Sequence, residues 1–440
     1  MNGGLPRRAV ATPARRVVTA GCLVVATAVF LATVPLHRDF FDVAVYYGTV
    51  DDWVHGGRIY DYLKPGTRYG FTYPPFAAVS MAPMALVPWP VAVAISIVLS
   101  AVASALLLHW LAVPVVRRAL AQRRRALAGT GGHEWFVLTV VGCLFVLLEP
   151  VRDTFSFGQV NLVLLALVLA DARLLATGRG RYAGVCVGLA TAVKLTPGLF
   201  ICYLLITGRR RQAATAAATA GGATLFAALV DPAASRAFWT DALWRTDRIG
   251  ELGYVSNQSL QGVLARLQPD HPSRALWALC VLAVLAVWAY RARAAVRAGD
   301  DRAGFALTGL AACLVSPVTW VHHLVWLIPA LIALADAAVS GTDGGRRAPR
   351  AVCVGTYVVL CSSVVWLWRW DSTGPDAFLG ANTYVWISLG LLLFLPPRRR
   401  TPPYADGSAG VVTNAVGATR SAAGWRRRGA DCPGGPGSSG

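Results

Sequence analysis

Charge is what this sequence has least of. Only 14% of its 440 residues are Asp, Glu, Lys or Arg, while 55% are hydrophobic, and a water-soluble globular domain carries roughly 25% charged residues. A chain so poor in charge needs lipid as its solvent. Lysine is nearly missing: of 41 basic residues all but Lys64 and Lys194 are arginine. Also missing are a Walker loop, a dinucleotide fingerprint, a Cys/His zinc pattern and a Gly-x-Ser-x-Gly elbow, which leaves soluble nucleotide cofactors without support. Cysteine does not form a framework. Cys22, Cys143, Cys186, Cys202, Cys280, Cys313, Cys353 and Cys361 fall within apolar stretches and Cys432 in the tail, so they read as free, buried thiols acting as small hydrophobes. No inverted internal repeat of the kind found in many transporters is evident.

What is present is apolar sequence in blocks. Twelve runs approach the roughly 20 residues that cross a bilayer: 17–34, 89–116, 135–148, 160–175, 182–194, 197–207, 213–230, 274–290, 304–315, 324–338, 351–368 and 383–396. The first follows basic residues as a signal peptide would, but no cleavage site follows it, so it reads as an uncleaved span. Several runs are short or interrupted by proline, which is tolerated where protein or a water-filled cavity surrounds the freed backbone groups. Residues 76–88, broken by Pro83 and Pro88, are too short to cross alone and read as a re-entrant or interfacial piece.

The net charge of +19 would point to nucleic acid if it lay on one face. Instead the arginines fall between alternate runs, at Arg7, Arg8, Arg15 and Arg16, then Arg117, Arg118 and Arg123 to Arg125. They recur at Arg173, Arg179 and Arg181, at Arg209 to Arg211, at Arg291, Arg293 and Arg297, at Arg346, Arg347 and Arg350, and at Arg398 to Arg400. That is the positive-inside pattern. It puts both termini in the cytoplasm and removes nucleic acid as a partner. The domains expected are a cytoplasmic basic segment 1–16, a transmembrane domain 17–396 with large outer segments 35–88 and 231–273, and a disordered tail 397–440.

The unusual polar residues gather at the opposite, outer face. Asp42 follows the first span inside a run of aromatic and aliphatic residues, where a carboxylate is costly unless it has a partner or a task. Within reach of a substrate hydroxyl it can act as general base; Asp51 and Asp52 are rivals. Arg152, Gln159 and Asn161 stand at the outer ends of two short spans. They can cap helix ends, or the amides can bind sugar hydroxyls and the guanidinium a phosphate. Lys194 sits in an apolar run just before Pro197, where it either snorkels to the interface or faces the phosphate of a lipid substrate. Tyr73, Asn257 and Gln258 add polar groups on the outer segments. His322 and His323 are adjacent, so their side chains diverge, and no third residue is spaced as a metal ligand.

These stretches resemble glycosyltransferase family 87, the actinobacterial membrane mannosyltransferases that use polyprenyl-phosphate-mannose. The resemblance is carried by Asp42, Gly57-Arg58-Ile59-Tyr60, Tyr73-Pro74-Pro75, Phe157-Gly158-Gln159-Val160-Asn161, Ala192-Val193-Lys194-Leu195-Thr196-Pro197, Asn257-Gln258-Ser259-Leu260, and Ser316-Pro317 with Trp320 and His322-His323. It implies an all-α polytopic GT-C fold with about 12 spans and an outer-face active site. It also implies an inverting transfer in which Asp42 is the base and a polyprenyl-phosphate-sugar is the donor, with no further cofactor. Lys194, Arg152, His322 and His323 are then candidates for the donor phosphate, and Tyr73, Gln159, Asn161, Asn257 and Gln258 for sugar or acceptor. Expected partners are membrane lipids, the lipid-linked donor and a glycolipid or cell-envelope glycan. A transporter or lipid flippase is the alternative from another class.

Overall fold

The computed structural model describes residues 13–33, 38–127, 134–245, 249–341, 345–371 and 374–397. Residues 1–12 of the basic segment and the tail from 398, with Cys432, lie outside them. Among the described residues the architecture is helical throughout, the one extended pairing being an isolated bridge between Leu63 and Gly70.

Helix α1 (Pro13–Thr33) is the first apolar span, and the outer segment after it folds as α2 (Phe41–Val54), a loop and α3 (Pro75–Met81). A 3₁₀ turn over Ala82–Leu86 completes the expected interfacial piece. Helix α4 (Trp89–Leu107) passes through a π turn into α5 (Val113–Leu127), while α6 (Glu134–Leu147) and α7 (Glu149–Phe157) meet at 69°. There follow α8 (Asn161–Ala176), α9 (Val185–Val193), α10 (Leu199–Ile206) and α11 (Arg210–Val230). The second outer segment carries α12 (Pro232–Ala237) and α13 (Leu260–Leu267). The last part comprises α14 (Arg274–Arg297), α15 (Asp301–Val315), α16 (Ile328–Ser340), α17 (Arg347–Ser362), α18 (Gly374–Gly380) and α19 (Thr383–Phe394).

Among the described residues five helical stretches are long and apolar enough to cross a membrane, Pro13–Thr33, Trp89–Arg123, Arg210–Val230, Arg274–Arg297 and Val321–Ser340, or seven if the bent pairs α6–α7 and α18–α19 each count as one. The other runs expected as spans are helical but short, with 16, 9, 8, 15 and 16 residues in α8, α9, α10, α15 and α17. Helix α15 shows why such helices persist. At 1.5 Å per residue it is about 22 Å long, less than the roughly 30 Å of hydrocarbon. Yet every residue from 303 to 314 is buried, wrapped by α8, α10, α14, α16 and α19, so its ends meet protein and not lipid. Close approach depends on small residues. A Cβ on Gly188 of α9 would stand 2.5 Å from the Ala216 carbonyl oxygen of α11, so that glycine lets the two backbones touch.

The arginine-bearing loops meet at one end of this bundle. Arg118 pairs with Asp336 at 2.5 Å, Arg209 pairs with Asp301, and Arg293 Nε donates to the Ile206 carbonyl at 3.1 Å. The other ends of the same helices, at Lys194, Ala312 and His322, line a cavity. Eight cysteines are free. Cys313 is buried as expected, but Cys22 and Cys202 are exposed, Cys22 because α1 turns nearly all of its surface outward and Cys202 because it faces the cavity.

Candidate active site

The cavity has a volume of about 1060 Å³ and is walled by both outer segments, the turn before α9 gives way to α10, and the stretch joining α15 to α16. Aromatic packing holds the outer segments together: Tyr60 stacks on Phe238 with ring centroids 5.9 Å apart, and Trp53 Nε1 donates to Asp231 Oδ2 at 2.9 Å. Across the mouth, Arg68 and Glu251 pair at 3.0 Å.

Asp42 enters this cavity from the first turn of α2. The chain reaches that turn through two non-glycine residues in the left-handed region, Asp39 at φ 49° and Phe40 at φ 51°. Such backbone costs on the order of 1–2 kcal/mol per residue. It is held by the Phe40 N–H donating to the Ser156 carbonyl at 2.9 Å, which pins the start of α2 to the end of α7. Helix α7 in turn ends at Gly158 with φ 70°, and a Cβ there would overlap Val43 of α2 at 1.9 Å. Gly158 therefore permits both the left-handed stop and the approach that sets Gln159 beside Asp42. Gly158→Ala is expected to lower stability by about 1–3 kcal/mol and to displace Gln159. A reduced thermal midpoint together with lost activity in the purified variant would show it.

From Gln159 a continuous hydrogen-bond chain crosses the floor. The Tyr46 hydroxyl donates to the Tyr73 hydroxyl at 3.0 Å, and Tyr73 donates to Gln159 Oε1 at 3.1 Å. Asn161 Nδ2 donates to the same oxygen at 3.3 Å. Lys194 Nζ donates to Asn161 Oδ1 at 3.0 Å, meets His323 Nε2 at 2.9 Å and sits 5.2 Å above the Tyr73 ring. Because Gln159 Oε1 already takes two donors, the Gln159 amide group is left to donate to Asp42, its side-chain partner. Burial raises the Asp42 carboxyl to about 6, against the opposing pull of Gln159 and the Lys194 charge. Burial likewise pushes the Tyr73 hydroxyl well above its usual value, so it stays a donor.

The structure thus brings together Asp42, Tyr73, Gln159, Asn161, Lys194, His322 and His323, residues up to 281 positions apart in a chain of 440. It does not bring in the others. Arg152 is turned away from the cavity and donates to the Cys361 carbonyl at 3.1 Å and Ser363 Oγ at 3.2 Å. Asn257 Nδ2 donates to the carbonyls of Leu252 and Pro317, and its Oδ1 accepts from the Thr319 N–H at 2.9 Å. Gln258 Nε2 donates to the carbonyls of Val255 and Ala381, both at 2.7 Å. These two amides serve irregular backbone that has no helical partner of its own. Asp51 and Asp52 lie further along α2, off the cavity, Asp51 near His55. Among the described residues no group of three or more His, Cys, Asp or Glu is placed to hold a metal ion.

Arg38 is a charged cavity residue with no counterpart among those expectations. Arg38 lies between Phe157 and Trp366, its guanidinium carbon 5.5 Å and 4.8 Å from their ring centroids. The signal in the sequence was an arginine just after the first apolar run, apart from the arginine-rich stretches.

Comparison with known proteins bears on what such a cavity does. Residues 71–317 match the pattern described as Glycosyltransferase family 87, a stretch that includes Tyr73, Gln159 and Lys194 and ends short of His322. The chain is 35% identical over 379 residues to a polyprenol-phosphate-mannose-dependent alpha-(1-2)-phosphatidylinositol mannoside mannosyltransferase of Mycobacterium tuberculosis, covering 80% of this chain and 83% of the relative. A protein of the same name from Mycolicibacterium smegmatis is 35% identical over 383 residues, with the same coverage. A polyprenol-phosphate-mannose-dependent alpha-(1-2)-phosphatidylinositol pentamannoside mannosyltransferase of Mycolicibacterium smegmatis is 34% identical over 326 residues, 71% of this chain and 73% of the relative. No solved structure matches the chain.

Proposed function

The chain belongs to glycosyltransferase family 87, and from that premise we propose that it transfers mannose from a polyprenyl-phosphate donor to a phosphatidylinositol-mannoside-type glycolipid, forming an alpha-(1→2) bond. Membership in a family of transferases retires the transporter and flippase alternative. The observation that carries the reading is the placement of Asp42, an aspartate raised by burial, lining a cavity and held by a neutral amide.

In this reading the acceptor hydroxyl oxygen attacks the anomeric carbon of the donor sugar as the bond from that carbon to the phosphate oxygen breaks. The hydroxyl proton passes to Asp42, and polyprenyl phosphate leaves with the bonding electron pair. Attack opposite the leaving group inverts a β-linked donor to an α-linked product. The donor is already activated, so this reaction asks for no separate cofactor. A carboxylate near 6 is a stronger base than an ordinary one, yet still ionised at neutral pH. Tyr73 and Gln159, which line the cavity, are the groups for sugar hydroxyls, and Asn161 stands behind them between Gln159 and Lys194.

The reading places the cavity at the outer membrane face and both termini in the cytoplasm. Its support is the grouping of arginine-bearing loops at the end of the bundle remote from the cavity. Counted with the seven longer crossings, the five short helices make up the twelve spans of a GT-C-type bundle in this reading, with α15 the one most enclosed by protein. The 17–396 domain and its outer segments follow that count.

The test is direct. Purified protein given polyprenyl-phosphate-mannose and a phosphatidylinositol mannoside should yield an acceptor longer by one hexose, and absence of that product with a folded enzyme would count against the reading. Asp42 also sets a pH dependence. It works as the carboxylate, so kcat/KM is expected to fall with unit slope as pH drops through about 6. A profile flat from neutral pH down to 5 would remove Asp42 from the role.

A further inference from the structure

We propose that Arg38, with His322, is the cradle for the phosphate of the lipid-linked donor; this deepens the transferase reading and rests on it. Both side chains line the cavity. Nε and Nη2 of Arg38 are buried without a hydrogen-bond partner, and so are Nδ1 and Nε2 of His322. Asp153 Oδ1 lies 4.0 Å from Nε of Arg38, beyond hydrogen-bond reach. Four orphaned nitrogens therefore flank a single ring, that of Phe157: the Arg38 guanidinium carbon is 5.5 Å from its centroid and the His322 ring 4.9 Å. Buried polar groups in folded proteins have partners, and a ligand rich in acceptor oxygens and carrying negative charge supplies what a guanidinium and an imidazole lack.

Two other cations near the cavity already have hydrogen-bond partners. Lys194 is taken up by Asn161 and His323, and Arg152 by Cys361 and Ser363. Arg38 is also held in place. Trp366, whose ring lies 4.8 Å from the guanidinium, is fixed by its Nε1 donating to the buried Glu149 at 2.5 Å, and Glu149 accepts from Tyr384 as well. A glycosyl phosphodiester carries one negative charge and the departing phosphate monoester up to two. A guanidinium at the phosphate thus gains most as the bond breaks, and holds the product more tightly than the donor.

Free polyprenyl phosphate is the probe, measured as an inhibitor of mannosyl transfer and by its effect on thermal unfolding. In Arg38→Gln the inhibition constant and the donor KM are expected to rise about 10- to 100-fold, with the acceptor KM within about twofold. Arg38→Lys, which keeps the charge without the fork, should recover only part of this. His322→Ala should raise the same two constants. An unchanged inhibition constant in a folded Arg38→Gln protein, or a rise confined to the acceptor KM, overturns the proposal. If that variant does not fold, Arg38→Lys decides: a higher inhibition constant supports the cradle and wild-type inhibition refutes it. Failure of the wild-type enzyme to transfer mannose at all would instead strike the transferase reading, because polyprenyl phosphate can still be scored by its stabilisation of the wild type and not of Arg38→Gln.

Discussion

Asp42→Asn is expected to leave the protein folded and to slow mannosyl transfer by about 10²- to 10⁴-fold, the range associated with a positioned general base. The expectation of an intact fold comes from the neighbours. Gln159 directs its amide hydrogens at Asp42 because Tyr73 and Asn161 both donate to its oxygen, and an asparagine carbonyl can accept from that amide in place of the carboxylate. The hydrogen bond is kept, while the proton-accepting capacity and the negative charge beside Lys194 disappear. Turnover at saturating donor and acceptor measures the chemical step, and unaltered size-exclusion behaviour and thermal midpoint establish folding. Asp51→Asn and Asp52→Asn serve as internal controls expected to work near the wild-type rate, since neither residue lines the cavity. Full activity in Asp42→Asn, or a comparable loss in either control, would reassign the base.

The contrast between Asp42 and its neighbours shows what a sequence can disclose. A carboxylate among Phe40, Phe41 and Val43 is conspicuous because burying it is costly, and a lone lysine before a helix break is conspicuous for the same reason. Both are found at the cavity. What polarity along the chain cannot say is whether a buried group will be satisfied by substrate or by backbone. Gln159-Asn161 and Asn257-Gln258 are similar pairs of amides, yet the first joins the hydrogen-bond chain beside Asp42 and the second ties down irregular main chain near residues 317–319. Arg152 and Arg38 differ likewise: the first, off the cavity, donates through Nη2 to a carbonyl near the end of α17 and leaves only Nε buried and unused, while the second, at the cavity, leaves both Nε and Nη2 buried and unused. These distinctions rest on contacts between residues 33, 62 and 209 positions apart. The helices were legible from apolar runs, but the wrapping that buries residues 303–314 of the 15-residue α15 was not.

Lys194→Met is expected to lower kcat/KM on the order of 10²- to 10³-fold at neutral pH, by two routes that can be separated. The first is loss of a contact: Asn161 Oδ1 loses its donor in Nζ, and an unsatisfied buried group costs about 1–3 kcal/mol. The second is electrostatic. Lys194 is the positive charge that opposes the rise of the Asp42 carboxyl, so removing it should move that group further above about 6 and leave less carboxylate at neutral pH. The acid limb of the kcat/KM profile should therefore shift to higher pH in Lys194→Met, and part of the lost rate should return as pH is raised. Lys194→Arg should not rescue, because a planar fork does not reproduce a point charge seated over the Tyr73 ring between an amide and an imidazole. The inhibition constant for polyprenyl phosphate separates this role from phosphate binding. With the phosphate at Arg38 it should stay near the wild-type value while the pH profile moves, whereas an unmoved acid limb with greatly weakened inhibition would return Lys194 to the phosphate and leave Asp42 without its electrostatic partner.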